Sequence, residues 1–99
     1  MERNRVLLSI QRALLGMITP NMFAITVRFK EEPFIFRVYF KENPTEIERE
    51  LIKEVTSEIA SDFNELNVIQ EEIIVSNGTD KNFYCLDEWI FRCFDGKKI

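Results

Sequence analysis

The sequence predicts an α+β fold, with two helices packed on one face of a mostly antiparallel four-stranded sheet. Three observations predict it. Apolar residues recur at helical spacing in two stretches and alternate at period two in others. Turn residues such as Asn77-Gly78 divide these stretches at short intervals. The resulting order is helix, strand, strand, helix, strand, strand (αββαββ), which suits helices layered on a sheet. Ninety-nine residues, 45% of them apolar, fit a single domain spanning residues 1–99.

Residues 4–17 read as the first helix, with Val6, Ile10, Ala13, Leu14 and Met17 on one side, ended by Gly16 and Thr19-Pro20-Asn21. Residues 22–30 alternate as a strand, with Phe23, Ile25, Val27 and Phe29 on a covered face. Ala24, Thr26, Arg28 and Lys30 take the other, wet face. After the turn Glu31-Glu32-Pro33, a second strand over 34–41 points Phe34, Phe36, Val38 and Phe40 inward. Its outer face, Ile35, Arg37 and Tyr39, is less polar than a solvated face would be. Thr45 and Glu48 form a capping box behind Pro44 and open the second helix. Its apolar stripe is Ile47, Leu51, Ile52, Val55, Ile59 and Phe63, and Asn64 and Asn67 close it. A third strand covers 68–75 with Glu71 and Glu72 inside it. A polar loop spans 76–83, a last strand covers 89–94, and a basic tail follows over 95–99.

Composition excludes several kinds of chemistry. There is no histidine, which removes a Ser-His-Asp triad and the commonest metal ligand. Cys85 and Cys93 fit reduced thiols rather than a disulfide framework or a zinc site. No phosphate-binding loop, dinucleotide fingerprint or metalloprotease motif is present, so no cofactor is expected. No apolar run approaches the roughly 20 residues of a membrane span. Residues 1–16 mix charges with leucines and lack the pattern of a signal peptide, so a cytoplasmic protein is expected.

The net charge is −4 and is unevenly spread. Glu42 to Glu72 holds ten acids against two bases, and the remainder holds seven acids against eleven bases. This argues against nucleic acid as a partner and for something basic. Within the segment, Glu46, Glu50, Glu54, Glu58 and Asp62 stand four residues apart on the second helix. Like charges at that spacing cost about 0.2–0.5 kcal/mol per pair. Arg49 and Lys53 give Glu46 and Glu50 local partners three residues away, while Glu54, Glu58 and Asp62 have none. A four-residue step advances about 40° past a full turn, so the row drifts. Glu58 and Asp62 should reach the flank of the apolar stripe and pair with Arg37, Arg5 or Arg12. Arg37, Glu58 and Asp62 are thus the expected structural ion pair. Glu46, Glu50, Glu54, Glu71, Glu72 and Tyr39 are the expected partner-binding residues. Tyr39 has the alternative of being covered by the C-terminal segment.

Several segments resemble a group of small bacterial proteins. They are Leu14-Leu15-Gly16-Met17-Ile18-Thr19-Pro20-Asn21, Arg37-Val38-Tyr39-Phe40, Asn43-Pro44-Thr45-Glu46 and the run from Glu54 to Phe63. Some members are immunity proteins of contact-dependent growth inhibition and other polymorphic toxin systems. The likeness covers roughly residues 5–75. The chain departs from the pattern at Phe23, where a basic residue is common, and at Lys41, where an acid is common. The resemblance implies a non-enzymatic inhibitor of a toxin's C-terminal domain, often a basic nuclease, which would suit an acidic binder. Two other classes compete with it. One is a homodimeric structural or adaptor protein, pairing through the Ile35–Arg37–Tyr39 face or an edge strand. The other is an enzyme using Glu58 and Asp62 as paired carboxylates.

Overall fold

The computed structural model describes residues 2–64 and 69–92. They form α1 (Arg3–Ala13), β1 (Met22–Arg28), β2 (Phe34–Phe40), α2 (Glu46–Asp62), β3 (Ile69–Val75) and β4 (Glu88–Arg92). Asn67, Val68, Cys93, Phe94 and the tail 95–99, which entered the expected elements, lie outside the described residues. The strand order is β3-β2-β1-β4. β1 pairs antiparallel with β2 and with β4, while β3 lies parallel to β2. Parallel neighbours cannot be joined by a tight turn, and α2 supplies the crossover between them. The sheet is therefore mostly antiparallel with one parallel pair, and both helices pack on one face.

On that face Val6, Ile10 and Ala13 of α1 and Ile52, Val55 and Ile59 of α2 meet Ile25, Val27, Phe34, Phe36, Val38 and Phe40. Each Val, Ile or Phe side chain taken fully out of water contributes about 1.5–3 kcal/mol. α1 ends at Ala13, earlier than its periodicity suggests, and Gly16 sits in the following turn at φ +76°. Ile47 was expected in the apolar stripe of α2, yet it is 73% exposed. The inward direction of α2 is set by Ile52 and Ile59, and Ile47 lies about 140° around the helix from Ile52. The inward place in the first turn belongs to Glu48.

Glu48 completes the expected capping box: Thr45 Oγ1 accepts from the Glu48 amide, and Glu48 Oε1 accepts from the Thr45 amide. It does more than cap. Thr19 donates to its Oε2 at 2.6 Å and Asn21 to its Oε1 at 3.2 Å. One buried carboxylate thus joins the α1–β1 connection to the start of α2.

The second face of the sheet overturns the expectation of a wet surface. Ala24, Thr26 and Tyr39 are fully buried and Arg37 nearly so. The cover is the segment between β3 and β4. Phe83 packs edge-on against Tyr39 with ring centroids 4.7 Å apart, and it meets Trp89 at 5.1 Å and Phe23 at 5.3 Å. Phe23 reaches this side because the β1–β2 register shifts between Met22 and Ala24. A bulge re-aims a side chain. It sends Met22 into the helix-side core in place of the Phe23 expected there. Gly78, at φ +89°, lies against the Phe23 ring, which would stand 2.8 Å from any Cβ at that position.

Two predictions follow from these contacts. Glu48→Ala removes a buried, multiply bonded carboxylate and a helix cap, and is expected to cost about 2–3 kcal/mol in urea denaturation. The second concerns acid. Burial pushes Glu48 and Asp87 up, but hydrogen bonds outweigh it and both pKa values are lowered. The donors are Thr19, Thr45 and Asn21 for Glu48, and the Lys30 and Phe29 amides for Asp87. Asp62 and Glu88 are lowered chiefly by hydrogen bonds from Ser9 and Arg3. A folded-state pKa below the unfolded value gives stability that is present above the ordinary carboxylate range and lost as pH falls through the folded value. The urea midpoint is therefore expected to hold from neutrality to about pH 5 and to fall steeply toward about pH 3.

Candidate binding surface

The direction of α2 sorts its acids. Taking Ile52 and Ile59 as inward, Glu50 and Glu54 point almost straight outward, and Glu46 and Glu58 flank them at about 60° to either side of that outward direction. All four are exposed. Glu46 leans toward β3, and the far end of the row leans toward α1. Among the described residues, none of the four takes part in an ion pair. The local pairs anticipated from Arg49 and Lys53 are not formed within ion-pair distance. An open trough of about 690 Å3, lined by Glu50, Lys53, Glu54, Ser57, Glu58 and Ser61, runs along this ridge.

Asp62 leaves the row. It accepts from Ser9 Oγ at 2.6 Å and pairs with Arg12 at 3.2 Å, tying the end of α2 to α1. Arg5 adds a bond to the Asp62 carbonyl and lies over the Phe63 ring at 4.8 Å. The expected ion pair of Arg37 with Glu58 and Asp62 is therefore corrected. Arg37 is on the sheet face away from the helices and cannot reach α2. It pairs with Glu72 at 2.6 Å, donates to the Tyr39 hydroxyl at 3.1 Å, and sits under the Tyr84 ring at 4.9 Å. Glu58 remains outside with Glu46, Glu50 and Glu54. The angle of Ile52 and Ile59, β-branched residues seven apart, was the signal that could have placed it there.

The other expected partner-binding residues have internal roles. Glu71 accepts from Thr56 Oγ1 at 2.5 Å, which ties β3 to α2. Glu72 holds Arg37 and also accepts from Gln70 at 2.7 Å. Tyr39 is withdrawn as a contact residue, because it has no exposed surface. Its hydroxyl donates to the Asn82 carbonyl at 2.7 Å and accepts from Arg37 and from the Tyr84 amide. The cover is the segment between β3 and β4 and not the C-terminal segment named as the alternative, whose residues 93–99 lie outside the described residues. The same cover removes the Ile35–Arg37–Tyr39 face as a dimer surface.

Chemically, the exposed row can attract and orient a cation. Among the described residues, no group of three or more His, Cys, Asp or Glu side chains could hold a metal ion. The carboxylate of Asp62 is committed to Ser9 and Arg12, so Glu58 and Asp62 do not form a free acid–base pair. No helix among the described residues is long and apolar enough to cross a membrane. Denaturation distinguishes the two kinds of acid. Glu72→Ala leaves a buried guanidinium unpaired and is expected to cost about 3 kcal/mol. Glu50→Ala is expected to stay within about 0.5 kcal/mol, on the stabilising side, because it relieves like-charge contacts.

No curated protein matches this chain. The model of one protein family does, over residues 3–93, a span that holds both helices and all four strands: the chain belongs to the MafI2 immunity protein family.

Proposed function

We infer that this immunity protein, whose function is protection against a toxin, works as a non-catalytic inhibitor that binds the toxin domain one to one. The binding surface in this reading is the outer face of α2, with Glu46, Glu50, Glu54 and Glu58. The partner is a basic toxin domain of the nuclease type, delivered between cells as in contact-dependent growth inhibition and met in the cytoplasm. An acidic ridge would steer such a domain and occupy the site where it takes its own anionic substrate.

One observation carries this reading. Four like charges share one ridge of one helix, all exposed, with no ion pair to them among the described residues. Their mutual repulsion costs stability inside the fold, and only Glu46, in the first turn of α2, is favoured there by the helix dipole; in this reading the remaining gain lies outside the fold. The acids with internal roles, Glu48, Asp62, Glu71 and Glu72, each have a hydroxyl, amide or guanidinium partner. The four on the ridge stand apart from that set.

The test is charge reversal. The triple variant E46K/E50K/E54K is expected to stay folded, with a modest loss of thermal stability from placing a base at the positive end of the α2 dipole and three lysines beside Arg49 and Lys53. Its association with the C-terminal domain of a toxin encoded immediately upstream is expected to slow by about 10- to 100-fold at low salt. The salt dependence of the association rate should flatten at the same time, as measured by stopped-flow mixing. Unchanged association together with unchanged protection of cells would exclude the ridge as the interface.

A further inference from the structure

The two edges of the sheet are built differently. β4 carries a register shift against β1 between Ile25 and Thr26, and its Glu88 is tied to Arg3 of α1. That edge is bulged and bridged. β3 pairs with β2 through seven residues in unbroken register, Phe34–Phe40 against Ile69–Val75. It contains no proline, glycine, lysine or arginine. Sheet edges are usually blunted by charged side chains, lysine above all, by proline, by bulges or by a covering element, and the charges β3 carries are the acids Glu71 and Glu72, which deter an acidic or identical strand but not a basic one. Among the described residues, no strand lies beyond β3. Along a strand paired on one side only, alternate N–H and C=O groups point outward and can form hydrogen bonds with a further strand.

We propose that β3 is a second contact, where an extended, lysine- or arginine-bearing segment of the toxin domain adds to the sheet as a fifth strand. This rests on the reading of the chain as an inhibitor that binds its toxin directly. Backbone pairing would supply affinity, and side chains beside the edge would select the sequence. On the helix side, β3 borders a cleft of about 240 Å3 lined by Glu46, Arg49, Glu50, Lys53, Glu71 and Ile73. Glu46 and Glu50 belong to the exposed ridge, so the edge and the ridge form one continuous surface. A basic segment on β3 would place its side chains within reach of those carboxylates.

Charge also decides between this occupant and a second copy of the chain. Two-fold antiparallel pairing centred on β3 sets Glu72 opposite its own copy, with Glu71 beside it. Like charges directly opposite on paired strands are destabilising. A basic foreign strand meets no such repulsion.

The experiment is residue-resolved amide exchange by NMR on the full chain, free and bound to an inactivated C-terminal domain of the toxin encoded immediately upstream. Binding is expected to slow exchange at least tenfold at alternate residues of β3, those whose amides do not bond to β2. Sedimentation of the free protein is expected to show a monomer. A complex in which β3 exchanges as it does in the free protein overturns the proposal and leaves the α2 interface standing. Equal slowing of every amide in β1, β2 and β3 also overturns it, because that pattern is general stabilisation. A free protein that dimerises with the same alternating protection assigns the edge to a second copy and overturns it. Failure to form any complex removes this proposal together with the reading it rests on.

Discussion

The fold depends on one constraint: β1 and β2 are apolar enough to need cover on both faces of the sheet, and only one layer of helices is available. All seven residues of β2 are buried. The second cover is a loop that brings two aromatic rings, Phe83 and Tyr84, and little regular structure. What holds it is the Tyr39 hydroxyl, which bonds to the Asn82 carbonyl and the Tyr84 amide on the loop and to Arg37 on its own strand. A phenolic oxygen fully taken out of water must be satisfied, and here the loop backbone satisfies it. Thr26 works alike at the next position across the sheet, accepting from the Leu86 amide and donating to the Glu88 carbonyl. Side chains of the central strands therefore stand in for the ladder bonds that a loop lacks.

With both faces of the sheet closed, its edges and the outer sides of the covering layers are the surfaces left to meet a partner. The outward side of α2 and the edge at β3 are two of them, and they adjoin. Pairing β3 parallel to β2 requires a crossover, and the crossover is α2 itself. The same connection that builds the sheet thus sets an acidic helix beside an acidic edge strand. Glu71 fixes their relation through Thr56.

Local features of this arrangement were legible in the sequence, and long-range ones were not. The capping box at Thr45 and Glu48, the alternation of β2 and the Asn77-Gly78 turn depend on neighbours a few residues apart, and each is read directly. That Glu48 also receives Thr19 and Asn21 depends on where a distant loop comes to rest. The bulge at Met22 is invisible because Phe23 and Met22 are both apolar, and either could face the core. Arg37 was matched with Glu58 and Asp62 because alternation names a face without saying what lies on it. Its partner Glu72 appears only once β3 is placed beside β2 in parallel register. Counting Ile47 in the apolar stripe rotates the expected inner face of α2 and turns Glu58 inward, whereas Ile47 is exposed. Hydrophobicity marks a side chain that can be buried, whereas the helix direction is set by the residues that have something to touch.

Eight of the described acids from Glu46 to Glu72 then divide on physical grounds. Those that hold the fold together share a signature: short hydrogen bonds from hydroxyl, amide or guanidinium groups on another element. Those on the ridge share the opposite signature. Three adjacent like-charge steps at about 0.2–0.5 kcal/mol each cost on the order of 1 kcal/mol, small beside a typical net stability of about 5–15 kcal/mol. The fold can carry that cost, and the dipole of α2 returns part of it at Glu46 in the first turn, but Glu50, Glu54 and Glu58 have no such compensation among the described residues. A helix needing only solubility could alternate its charges, as Arg49 and Lys53 show that this helix is able to carry bases. The row keeps one sign along the ridge that points most directly away from the core, and a partner of opposite charge is the arrangement that converts the cost into a gain.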